Sequence, residues 1–128
     1  MSEHKAQNEI RLALGRDVTL FRNNVGTAWT GDVSMLRDRS MLIRNPRILH
    51  AGLCVGSSDL IGWRSVTITP EMVGQQVAVF SAVEVKGPKG RATAGQIHFI
   101  NQLIKAGGFG VIAKNANDAK KGLGISGK

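Results

Sequence analysis

The sequence predicts an α/β fold, a mixed central sheet flanked by helices, and three observations carry that expectation. Val77–Lys86 (VAVFSAVEVK) is apolar on both faces of a strand until its last turn, as a strand covered on both sides must be. A helix follows it, announced by Thr93 and Gln96 at capping-box spacing and closed by Gly107-Gly108. The full order reads helix, strand, hairpin, strand, strand, helix, strand, and its natural packing is a sheet between helices.

Each element follows from local chemistry. Ser2 is an N-cap for a first helix running to about Leu14, with Gly15 as its stop. Ala6, Ile10, Ala13 and Leu14 fall at helical spacing and are expected in the core, with Glu9 beside that stripe. Val18–Val25 reads as a strand. Val33–Leu36 and Met41–Ile43 form a hairpin turning at Arg37-Asp38-Arg39. From Gly52, GLCVGSSDLIGW is a glycine-bounded turn feeding a strand at Asp59–Trp63, and a polar excursion at Thr69–Gly74 precedes the strong strand. Gly87–Arg91 is a basic loop. On the helix that ends near Ala106, Gln96, Ile100, Leu103 and Gly107 share one face. Phe109–Ala113 is a last buried strand. The expected domain is therefore residues 1–114, with 115–128 a short helix near Ala116–Lys121 and a flexible basic tail.

Composition narrows the function classes. A chain of 128 residues, 42% hydrophobic and 20% charged, can bury one core. No apolar run is long enough to cross a bilayer, no secretion signal opens the chain, and no basic amphipathic helix carries Trp or Phe on its apolar side. The single cysteine, Cys54, fits a reducing cytoplasm and reads as a small buried hydrophobe. Lys and Arg number 17 against 9 Asp and Glu, a net charge of +8. Such an imbalance favours a polyanionic partner, nucleic acid first.

The chemistry centres on Glu84-Val85-Lys86. Neither charge is cheap at the end of an apolar strand unless something compensates it, and a divalent metal with a phosphate would do so. If the strands at Asp59–Trp63 and Val77–Lys86 pair antiparallel, Asp59 comes beside Glu84 and Lys86. Two carboxylates and the Val85 backbone carbonyl then make a hard-oxygen site for Mg²⁺ or Mn²⁺, with Lys86 orienting water or holding phosphate.

SSD at 57–59, EVK at 84–86 and the helix start TAGQ at 93–96 resemble the PD-(D/E)XK nuclease superfamily, and more narrowly its VRR-NUC branch. The resemblance implies a restriction-endonuclease-like αβββαβ core and a nuclease cutting DNA. It implies that Asp59 and Glu84 are metal ligands, Lys86 the catalytic lysine and Gln96 a support from the helix. Glu9 would complete a metal or water shell. Ser58 stands where the superfamily pattern has proline. A short stand-alone chain resembles virus-borne or bacterial members, implying the cytoplasm of a bacterium or infected host, a homodimer, and branched DNA such as four-way junctions as substrate.

Plainer readings stand beside these. Glu-x-Lys is a common accident, and only its strand-end position with Asp59 and TAGQ nearby points to a site. Gln96 either closes the helix cap or aims at the sheet, and Glu9 is favoured in a first helical turn by the dipole alone. Lys89 and Arg91 contact phosphate or belong to a solvated loop. Trp29 and Trp63 belong to the core or an interface, and the three histidines lack metal spacing. Two rival functions remain at this point: a basic module that binds nucleic acid without cutting it, and an assembly protein meeting an acidic partner.

Overall fold

The computed structural model describes residues 2–125, in two compact units that divide between Gly62 and Trp63. Helix α1 (Glu3–Leu14) starts where expected: the Ser2 hydroxyl accepts from the Lys5 N–H at 3.3 Å. Its apolar stripe does not form a core. Ala6 is half-buried, while Ile10, Ala13 and Leu14 are exposed. Periodicity defines an apolar face but does not supply the surface that covers it. Strand β1 (Thr19–Arg22) is shorter than the expected run, and Arg22 ties it to α1 by donating to the Asn8 side chain at 2.6 Å.

The hairpin is the longest ladder in the chain. Strands β2 (Gly26–Met35) and β3 (Met41–Ala51) pair antiparallel from Gly26 opposite Ala51 to Met35 opposite Met41. It turns at the expected residues. Asp38 accepts from the Ser40 N–H and hydroxyl, and these two bonds hold its carboxyl below the usual carboxylate range. A register shift between Thr30 and Asp32 marks a bulge, where a Cβ on Gly31 would meet the Arg44 carbonyl at 2.7 Å.

Strand β4 (Leu60–Trp63) pairs with β1, Thr19 lying against Gly62 and Asn23 against Asp59, so the two run antiparallel. Only glycine fits at position 62, because a Cβ there would overlap the Thr19 carbonyl. The expected pairing of this strand with Val77–Lys86 is corrected: β5 (Ser81–Val85) makes its ladder with β6 (Phe109–Ala113), in parallel. The strong strand is also half its expected length. In the parallel register Ser81 lies opposite Phe109, so the residues just before Ser81 would have to pair with the Schellman turn that closes the helix before β6.

In the second unit, helix α2 (Ala94–Lys105) carries both bonds of the capping box between Thr93 and Gln96. It ends in a Schellman motif: the Gly108 N–H donates to the Leu103 carbonyl and the Gly107 N–H to the Ile104 carbonyl, with Gly107 at φ 101°. Its Ile100–Leu103 face is buried, Leu103 completely. Gly110 on β6 lies under Ile100, and Gly122 lets helix α3 (Ala116–Gly122) sit against Val111. Trp63 packs on Phe80 and Phe99 with ring centroids at 5.2 and 5.9 Å. A single 3₁₀ turn, Pro70–Met72, occupies the polar excursion.

Without the β2–β3 hairpin, the 3₁₀ turn and the last helix α3, the element order is α1, β1, β4, β5, α2, β6, the αβββαβ sequence of a mixed α/β fold. With the hairpin included, the strands form three two-stranded ladders among the described residues. Cys54 is exposed, not buried: it lies in a surface turn whose two apolar neighbours, Leu53 and Val55, are themselves exposed, so no core forms around it. The end of the expected flexible tail, residues 126–128, lies outside the described residues.

Candidate active site

Glu84 and Lys86 lie two residues apart, so they share the face of β5 that carries Ala82. That face is half-buried while Ser81, Val83 and Val85 on the other side are exposed. The Lys86 ammonium lies 3.1 Å from Glu84 Oε1, with side-chain exposures of 18% and 30%. An ion pair screened this far from water is a stronger electrostatic element than one on an open surface.

Gln96 joins the same oxygen. Its Nε2 donates to Glu84 Oε1 at 2.9 Å, and its Oε1 accepts from the Thr93 N–H at 2.9 Å. The Thr93 bond assigns the amide orientation, since the atom facing an N–H must be oxygen. The two readings of Gln96 are therefore both realised: it closes the helix cap and points at the sheet. A capping residue is fixed by its own helix, so the donor it offers Glu84 is held in place before any ligand arrives. Ala82, Glu84, Gln96, Phe99 and Ile100 are among the residues lining a cleft of about 360 Å³.

Lys89 and Arg91 occupy the exposed loop beyond β5, whose turn is closed by the Gly90 N–H donating to the Gly87 carbonyl. Lys114 was not singled out in the sequence. Its ammonium donates to the Pro88 carbonyl at 3.0 Å and pins that loop. The signal for it is the parallel register, which sets Val85 opposite Ala113 and so brings the residues that follow each strand together.

Asp59 and Glu9 belong to the first unit, both exposed, Asp59 immediately before β4 and Glu9 in the middle of α1. The turn before Asp59 has a second unforeseen residue. Asn23 donates from Nδ2 to Ser57 Oγ at 2.7 Å and to the Ser58 carbonyl at 2.9 Å, and its Oδ1 accepts from the Leu53 N–H at 3.0 Å. Its backbone N–H donates to the Asp59 carbonyl at 2.8 Å. Only the antiparallel β1–β4 ladder brings it there, 36 positions from Asp59 in sequence.

Among the described residues no group of three or more His, Cys, Asp or Glu gathers as a metal cluster. Within the second unit the donor set is the Glu84 carboxylate and strand backbone oxygen. That suits Mg²⁺, which takes few protein carboxylates and completes its shell with water and substrate phosphate. It does not suit zinc, which wants nitrogen and sulfur.

A comparison with protein families matches residues 9–116 to the model described as the VRR-NUC domain. No curated protein and no solved structure matches the chain. The matched span contains Glu9, Asp59, Glu84, Lys86 and Gln96.

Proposed function

This chain belongs to the VRR-NUC family of the PD-(D/E)XK nuclease superfamily, and on that premise we propose that it is a divalent-metal-dependent endonuclease acting on branched DNA. The observation that carries the reading is the convergence of Lys86 and Gln96 on one oxygen of Glu84. A carboxylate supplied with two donors is oriented in advance. Asp59, Glu84 and the Val85 carbonyl would hold Mg²⁺ or Mn²⁺, with Glu9 as a further carboxylate. The bound ion supplies charge stabilisation at the phosphodiester and acidifies a water. Lys86 then orients the attacking water or holds a phosphate oxygen, Gln96 keeps Glu84 in place, and Lys89 and Arg91 contact neighbouring phosphates. Lys114 holds the loop that carries them.

A homodimer is part of the proposal, and the hairpin supports it. The pairs Trp29–Ile48, Val33–Ile43 and Met35–Met41 share one face. Trp29, Val33, Met35, Met41 and Ile48 on it are exposed, Trp29 at 61%. Their exposed area is on the order of 600 Å² per chain, so two facing copies would remove about 1200 Å², the lower bound for a stable interface. The opposite face carries Arg44 and Arg47 and stays available to phosphate.

The test is cleavage of labelled duplex, single strand, flap and four-way junction with Mg²⁺, Mn²⁺ or EDTA, beside Lys86→Ala. We expect metal-dependent cutting, fastest on the junction, and a loss of about 100-fold or more in the mutant. Tight binding without cutting under either metal would return the chain to a non-catalytic binding module.

A further inference from the structure

We propose that Asn23 is a positioning residue for Asp59: it fixes the turn on which the carboxylate is mounted and thereby sets metal affinity. The inference rests on the reading of Asp59 as a metal ligand. The segment from Gly52 to Asp59 contains glycines at φ 87° and 86° and two serines directly before the aspartate, with no proline to restrict its backbone. Left to itself such a segment samples many conformations, and an exposed carboxylate at its end would share that spread. Each new orientation would cost metal affinity, because the ion selects only those that place the oxygens correctly.

Asn23 removes this freedom at four points. Its side chain spends both donors and its acceptor on Ser57, Ser58 and Leu53, and its backbone N–H holds Asp59 itself. The Ser57 hydroxyl passes the restraint on by donating to the Cys54 carbonyl at 2.7 Å. The anchor is in turn rigid, since Asn23 follows β1 directly and β1 is paired with the strand that follows Asp59. An aspartate at 23 would keep the acceptor for Leu53 and lose both donors. An alanine would lose all three side-chain bonds, leaving the backbone one.

The experiment titrates metal-free protein with Mn²⁺, following the free-ion EPR signal, for wild type, Asn23→Ala, Asn23→Asp and Asp59→Asn. Circular dichroism checks the fold of each. We expect both Asn23 variants to fold and to bind Mn²⁺ about 10-fold more weakly. Half-saturating Mn²⁺ for cleavage should rise by the same factor, with the rate at saturating metal within about twofold of wild type, a split that a general loss of stability would not produce. Unchanged Mn²⁺ affinity in folded Asn23 variants would overturn the inference while leaving Asp59 as a ligand. Unchanged affinity in Asp59→Asn would remove the reading beneath it. Failure of both Asn23 variants to fold would also overturn it, by making Asn23 a requirement of the fold.

Discussion

Gln96 serves two partners with one amide, and its roles can be separated by chemistry. In Gln96→Glu the carboxylate still accepts from the Thr93 N–H, because glutamate is as good a capping-box residue as glutamine. Toward Glu84 it now presents an acceptor where a donor stood. A lost bond to a charged group costs about 1.5–3 kcal/mol. If that bond is needed in the transition state, Gln96→Glu should slow cleavage by roughly 10- to 100-fold, and its urea midpoint should fall as well at neutral pH because two carboxylates then face each other. Equal activity in both proteins would confine Gln96 to its cap. At this scale Glu84, Lys86 and Gln96 could be picked out in the sequence, because a strand end and a capping box are local patterns. Asn23 and Lys114 could not, since each acts on a segment that is remote in sequence and near only after pairing.

Among the elements, α2 is the best determined, with a cap, a buried stripe and a Schellman close. Leu103 is completely buried, and Gly108 sits so close that a side chain there would strike it. Leu103→Ala should lower the unfolding free energy by about 2–5 kcal/mol in a urea titration. Because α2 carries Gln96, the same variant should also lose activity at temperatures where the helix loosens. A change below 1 kcal/mol would show that this packing does not hold α2 on the sheet. The helix, the hairpin turn and β6 were legible because each is marked by local chemistry. The length of β5 was not: its first half is as apolar as its second, and only the start of β6 after the Schellman turn decides where the ladder begins.

For the whole molecule, three buried residues among those described are a small core for a chain of this composition. The exposed stripe on the hairpin offers the missing burial if a second copy covers it. Trp29→Glu places a charge on that stripe and should convert the proposed dimer to monomer in size-exclusion chromatography with light scattering, leaving circular dichroism unchanged. A wild-type chain that is monomeric at micromolar concentration would end the dimer proposal without touching the active-site reading. With a net charge of +8, binding to DNA should weaken steeply with added salt whichever oligomer forms.

Local sequence was enough for the mixed α/β class, for the start and stop of the helices, and for placing Glu84 and Lys86 at a strand end and Gln96 in a capping box. Those properties depend on neighbours a few positions away, through caps, turns and strand alternation. Only the tertiary structure decided that β5 pairs with β6, that β1 pairs with β4, that the first helix leaves its stripe uncovered, and that Asn23 holds the turn before Asp59. Pairing partners and burial depend on which distant segment arrives, and an apolar pattern states that a surface wants covering without stating by what.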